Sequence, residues 1–295
     1  MREVTNEDYL AFIKNHKSVT IENTEIELGS QKQIKTLQPT DFSPETTTVW
    51  SFQKRGDWAT HYLNSRYRGN WAPQVPRNLI LEYTKPGDIV LDPMIGSGTT
   101  LIECKLLGRE GIGVDINEEA IMITLDRLNF QAIELPQSEI TTFVGDARDL
   151  NLIKDSTIDF VLTHPPYANI ISYTNDKVTG DLSNISNISD FITEIRKIAI
   201  EIFRVLKPGK HCAILIGDTR KHRHFVPVSY RLMKEFLVAG FILREDIIKL
   251  QWNTKSSGSW MGKRDFYKIA HEHLFVLRKP LKDENMTQFK YSYSL

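Results

Sequence analysis

The stretch that most limits what this chain can fold into is residues 89–117, IVLDPMIGSGTTLIECKLLGREGIGVDIN. Ile89, Val90 and Leu91 form a short apolar run that ends at Asp92-Pro93. A loop with Gly96 and Gly98 follows, then a helix-compatible segment, 99–107, then a second apolar run, 112–116, interrupted by Gly113 and carrying Asp115 near its end. Strand, glycine turn, helix and strand in that order make a βαβ unit. The glycines have a physical reason, because a backbone that turns sharply out of a strand and lets a ligand approach closely has no room for Cβ atoms at the contact points. The helix that follows aims its free N–H groups at that ligand.

Residue types separate the nucleotide readings of this loop. A phosphate-cradling loop needs Lys and then Ser/Thr after its last glycine, yet Gly98 is followed by Thr99 and Thr100, and Lys105 lies too deep in the helix. A dinucleotide fingerprint needs a third glycine where Leu101 stands. An adenosyl ligand held without phosphates remains, its ribose hydroxyls taken by an acid at the end of the second strand, where Asp115 sits. A glycine turn that packs and binds nothing is the competing reading of this stretch taken alone.

Composition bounds the remainder. A chain of 295 residues, 41% hydrophobic and 25% charged, suits one large α/β domain or two small ones. Cys104 falls in the predicted first helix of the βαβ unit and Cys212 in a predicted strand, so both read as reduced core residues, with no disulfide framework and no metal cluster. No apolar run reaches membrane-spanning length and the start is too polar for a signal peptide, which together point to the cytoplasm. A net charge of zero and a pI near 7.1 confine any nucleic-acid surface to a local patch.

Residues 1–48 read as an accessory segment opened by an amphipathic helix near 7–14 and a candidate for DNA contact, residues 49–280 as the main domain and 281–295 as a tail. Between 49 and 77, Trp50, Trp58 and Trp71 interleave with Lys54, Arg55, Arg66, Arg68 and Arg77, a mixture suited to phosphate contact and base stacking or, equally, to core tryptophans with solvated arginines. Helices are predicted at 78–83, 118–132, 190–206 and 229–239. Further strands are predicted at 140–144, 158–162, 213–216, 242–251 and 273–278. The alternation gives a doubly wound α/β fold with a mostly parallel, seven-stranded sheet, its last two strands an antiparallel pair at one edge. Every motif falls at a strand's C-terminal end, where such sheets bind ligands.

Asp92-Pro93-Met94-Ile95-Gly96-Ser97-Gly98-Thr99-Thr100 resembles the D-P-F-x-G-S-G-T-T motif, and Thr163-His164-Pro165-Pro166-Tyr167 the T-S-P-P-Y motif, of the amino-methylating DNA methyltransferases dependent on S-adenosylmethionine. Residues 71–77, WAPQVPR, and 271–279, HEHLFVLRK, are similar to that family's cofactor-flanking and closing segments. The resemblance covers roughly residues 46–280 and implies a Rossmann-like methyltransferase fold. It implies a cofactor site at Asp92, Pro93, Met94, Gly96, Ser97, Gly98, Thr99, Thr100, Asp115, Ile116, Asp146, Ala147 and Pro73, with Asp146 placed for the adenine amino group and no metal. Thr163, His164, Pro165, Pro166 and Tyr167 become the catalytic loop.

That loop suits its chemistry. An exocyclic amino nitrogen is a poor nucleophile because its lone pair is delocalised into the ring. Acceptors such as the Pro165 carbonyl and the side chain at 164 must take its N–H groups and turn the lone pair toward the methyl donor. The two prolines stiffen the loop, and Tyr167 offers a stacking face to a base extruded from the duplex. Position 164 is His where cytosine-N4 enzymes commonly have Ser and adenine-N6 enzymes Asp or Asn. The neutral side chain after Thr163 favours cytosine N4, and an imidazole that must stay neutral predicts a rate that falls through a pKa near 6.5 if unperturbed. Met94 stands where Phe is usual. The expected partner is double-stranded DNA, contacted by Arg55, Arg66, Arg68, Arg220, Lys221, Arg223, Lys255, Lys263 and Arg264. Adenine N6, an RNA or tRNA guanine N2 and a catalytically silent binding module are the alternatives. A companion restriction endonuclease, and monomer against homodimer, stay open.

Overall fold

The computed structural model describes residues 1–67, 69–166, 178–252 and 265–294. The chain opens with β1 (Arg2–Val4), α1 (Asn6–Asn15), the hairpin β2 (Ser18–Ile21) and β3 (Thr24–Glu27), and β4 (Val49–Trp50). α2 (Gln74–Tyr83) leads into β5 (Ile89–Asp92), α3 (Thr99–Leu107), β6 (Glu110–Asp115), α4 (Glu118–Leu128), β7 (Ile140–Val144) and β8 (Ile158–Thr163). α5 (Ile188–Val205), β9 (Leu206–Gly217), β10 (Thr219–Lys221), β11 (His224–Val226), α6 (Val228–Val238), β12 (Ile242–Leu250), β13 (His271–Arg278) and α7 (Lys290–Tyr293) complete it.

Nine strands form the main sheet in the order β1-β7-β6-β5-β8-β9-β13-β12-β4. Counted from β5, the inner seven run three-two-one-four-five-seven-six. β5 through β9 pair in parallel and β13 is antiparallel to both neighbours. The chain therefore winds one way from β5 and the other from β8, and these two adjacent strands make the crevice where a doubly wound sheet takes its ligand. The expected seven strands and antiparallel pair are present, and two short strands, β1 and β4, cover the outer edges.

The helices form where apolar spacing and caps agree. α5 buries Phe191, Ile195, Ile198, Ala199, Ile202 and Val205 along one stripe, and the Asn187 side chain at its N-cap accepts the N–H of Ser189. Each of these larger apolar side chains contributes roughly 1.5–3 kcal/mol of burial against β8 and β9. α4 stops at Leu128 rather than running to 132, because Lys105 Nζ takes the carbonyls of Leu128 and Phe130 and lies over the Phe130 ring. α2 starts at Gln74, ahead of the expected 78, since Pro76 fits the first turn of a helix, where its missing N–H has no partner to lose. The strand expected at 213–216 starts earlier, and Lys207-Pro208-Gly209, a local turn signal, lies inside β9: Gly209 takes φ +79° and its N–H goes to the Lys279 carbonyl, so pairing with the chain beyond β13 overrides that signal.

Residues 1–48 pack onto the domain. β1 pairs with β7, Tyr9 is buried with its hydroxyl donating to Asp126, and Lys32 Nζ and the Gly29 N–H reach the same carboxylate. No helix among the described residues is long and apolar enough to cross a membrane.

Candidate active site

The glycine loop leaves β5 with Gly96 at φ +54° and Gly98 at φ +81°, backbone that L side chains rarely adopt. A Cβ on Gly98 would lie 2.9 Å from the Thr124 methyl, so the loop also sits too close to α4 for any larger residue. Its position is fixed by Asp115 at the tip of β6, which accepts the Gly96 N–H at 2.9 Å through one oxygen and the Asn117 N–H at 2.9 Å through the other. Thr124 Oγ1 donates to the Gly96 carbonyl from the opposite side. The acid assigned to a ribose is thus also the strut of the loop.

Between this loop and the tips of β6, β7 and β8 lies a cleft of about 840 Å³ counted out to its open mouth, within the range of small-molecule sites. Asp92, Pro93, Met94, Gly96, Ser97, Thr99, Asp115, Ile116, Asp146, Ala147, His164 and Pro166 line it. Gly98, Thr100, Thr163, Pro165 and Pro73 do not: Thr100 donates to Asp92 at 2.6 Å, Pro73 is buried at the N-cap of α2, and Thr163 and Pro165 are buried. Tyr167 and Arg68 lie outside the described residues. Tyr67, Asn70, Trp71, Asp181 and Leu182 also line it and were not among the expected cofactor contacts; the aromatic density of 50–71 and the 71–77 segment signalled Tyr67 and Trp71, and nothing in the sequence signalled Asp181 or Leu182.

Two acids in the cleft hold protons unusually well. Burial pushes Asp92 up to about 7, against the hydrogen bonds from Thr100 and the Met94 N–H, and pushes Asp115 up to about 6. Buried carboxylates near neutrality favour a ligand that brings positive charge. Ser97 Oγ is buried on the same wall with no hydrogen-bond partner among the described residues. Asp146 also faces the cleft, although Arg148 already grips both its oxygens. A sulfonium-bearing adenosyl ligand would fit this set, with Asp115 toward the ribose, Asp146 near the adenine, and Asp92 and Ser97 toward the ammonium and sulfonium charges.

His164 follows β8 and stacks on Trp71, ring centroids 5.8 Å apart. Its side chain is 11% exposed, and Nε2 lies 3.8 Å from Glu272 Oε1. Burial pushes its pKa down to about 4, outweighing the raising effect of Glu272. The value near 6.5 applied to an unperturbed ring; burial moves the titration below it, and the imidazole stays neutral across the physiological range.

The basic residues divide. Arg55 is sunk beside His61, and burial lowers its pKa to about 10, so it does not present a solvent-facing cation. Arg66 is exposed at the end of the 3-10 turn 61–66. Arg220, Lys221 and Arg223 lie on the β10–β11 hairpin, whose tip residues His222 and Arg223 have φ of +51° and +70°. Arg220 lies over the Phe266 ring at 4.6 Å and Arg223 pairs with Asp265. Lys255, Lys263 and Arg264 lie outside the described residues.

The class that this fold and this cleft define is the α/β methyltransferase that binds S-adenosylmethionine. The N6/N4 DNA methylase family model matches residues 3–126 and 158–294, and the chain belongs to that family. An RMKL-like methyltransferase domain model matches residues 79–179. Among curated relatives, the Type II methyltransferase M.HpaI of Haemophilus parainfluenzae is 35% identical over 128 residues, 42% of this chain and 38% of its own length. The DNA adenine methyltransferase YhdJ of Escherichia coli is 33% identical over 136 residues, 42% of this chain and 44% of its own. The tRNA (guanine(10)-N2)-dimethyltransferase of Methanothermobacter thermautotrophicus is 34% identical over 112 residues, 38% and 32%. The chain thus spans less than half the length of each.

Proposed function

We propose that this protein methylates an exocyclic amino group of a base in double-stranded DNA, with cytosine N4 the preferred position. The observation that carries the reading is that His164 and Pro166 share one cleft with Asp92, Gly96 and Asp115, so an amino-group acceptor and a cofactor cradle face the same space. S-adenosylmethionine, when bound, supplies an electrophilic methyl group. The chain's residues do the remaining work. Asp115 and the glycine loop hold the adenosyl end, and Asp92 faces the cationic end. His164, neutral through its burial, accepts an N–H of the target amino group while Trp71 stacks on its ring. Both prolines free the loop from helical hydrogen bonding, and the target base leaves the duplex to reach the cleft.

Thr163 followed by a neutral side chain, closer to T-S-P-P-Y than to D-P-P-Y, supports cytosine N4 over adenine N6. The β10–β11 hairpin supports DNA docking, since it puts Lys221 and Arg223 on an exposed turn after β9, on the ligand side of the sheet. Transfer of a tritiated methyl group to double-stranded DNA and to tRNA, followed by base-resolved product analysis, tests the proposal. N4-methylcytosine is the expected product. N6-methyladenine would move the base assignment, methylguanine in tRNA would move the substrate, and no transfer to either would leave a binding module.

A further inference from the structure

Across the C-terminal rim of the sheet, on the face that carries Trp50 and Trp71, three ionisable side chains stand in a row. Lys249 of β12 is the direct register partner of Glu272 of β13, and its Nζ donates to Glu272 Oε2 at 2.7 Å. Glu272 pairs in register with Gly217 of β9, and a glycine at that point leaves the carboxylate's other oxygen within 3.8 Å of His164 Nε2. The Lys249, Glu272 and His164 side chains are 15%, 6% and 11% exposed. A buried ion pair costs desolvation that packed apolar residues would avoid, so its place behind the catalytic loop asks for a purpose.

We propose that Glu272 is a positioning residue for His164, holding the imidazole toward the cleft and stabilising the imidazolium that forms when the methylated amino group sheds its proton. The inference rests on the amino-methylation reading above. In the reaction the amino lone pair forms the N–CH₃ bond, the pair of the breaking S–CH₃ bond returns to sulfur, and one N–H proton must leave as its bonding pair reverts to nitrogen. His164 takes that proton. The Glu272 carboxylate then faces a positive ring, as the carboxylate behind a general-base histidine does. Among the described residues, the charged groups acting on His164 are Glu272 and Lys249, with the Gly69 carbonyl as a further acceptor. They act in opposite senses: Glu272 favours the protonated ring and Lys249 opposes it. Lys249 therefore adds to the burial that keeps the resting imidazole neutral and able to accept.

The test follows His164 in three full-length variants by its imidazole ¹⁵N resonances and by single-turnover methyl transfer at saturating S-adenosylmethionine from pH 4 to 8. Glu272→Gln should lower the His164 pKa and slow methyl transfer by about ten- to a hundredfold with cofactor affinity near wild type, while the unpaired Lys249 charge lowers Tm. Lys249→Met should raise the His164 pKa by about one unit or more and bring an acid limb into the measurable range. Shifts in opposite directions are a signature that a merely structural ion pair would not give. His164→Ala separates the two ideas. If it methylates at the wild-type rate, the reading of His164 fails and takes this inference with it. If it is slow while Glu272→Gln transfers at the wild-type rate with an unmoved pKa, only the inference fails. Should Glu272→Gln prove unstable, an unshifted His164 pKa in Lys249→Met overturns the inference by itself.

Discussion

Asp92 and Asp115 stand at the tips of adjacent strands in one cleft and would both be ionised in water at pH 7, yet burial holds their pKa values at about 7 and about 6. In the free protein below pH 7, Asp92 carries its proton; a cationic ligand favours the carboxylate and expels it. Affinity for S-adenosylmethionine should therefore rise from about pH 5 to pH 7 and level off above it, by at most tenfold per pH unit for each proton released. Calorimetric titration in buffers of different ionisation enthalpy measures that release, and Asp92→Asn should reduce it. An affinity flat across this range would remove the charge argument. Asp115→Ala should do two things, since it deletes a ligand acceptor and also leaves the Gly96 and Asn117 N–H groups without theirs: weaken cofactor binding and cost about 1–3 kcal/mol of stability. Lowered stability with unchanged affinity would leave Asp115 as a loop strut alone.

The elements show what could be read from the chain and what could not. The βαβ unit was legible because Gly96, Gly98 and the strand-end acids are local features whose spacing survives folding. The β10–β11 hairpin was not, since His222 and Arg223 turn at positive φ without the glycine or asparagine that normally announces it, and at β2–β3 the positive φ falls on Glu22, ahead of Asn23. Nor was Glu103, which the helical pattern of α3 makes an ordinary surface residue. It is buried and accepts from Trp58 Nε1, His61 Nε2 and Arg77 Nη1 at 2.7–2.8 Å, locking the 58–77 segment onto the helix after the glycine loop. Glu103→Ala strands the Arg77 charge and should cost about 3–5 kcal/mol in urea unfolding. At the hairpin, Lys221→Ala with Arg223→Ala should lower the slope of log K for DNA against log salt by about two if both side chains contact phosphates. The cofactor titration should not change, and an unaltered slope would make them solvated charges.

For the whole molecule, the open question in the sequence was whether residues 1–48 are an appendage. Val4, Tyr9, Val19, Ile21, Ile26 and Leu28 are each at most 5% exposed and join the core with Leu101 and Ile121. At roughly 1.5–3 kcal/mol each, their burial is of the order of a domain's entire stability. A chain starting at residue 31 should therefore fail to show a cooperative thermal transition; normal melting would mark the segment as dispensable. The ends of the large sheet carry a further consequence. β7 and β12 would present bare rows of N–H and C=O groups to any passing strand, and each is covered by a piece too short to serve as a template itself, three residues on one side and two on the other. These small strands act as bumpers against the chain stacking on copies of itself, so losing only β1 should show first as concentration-dependent turbidity while the cleft still binds its ligand.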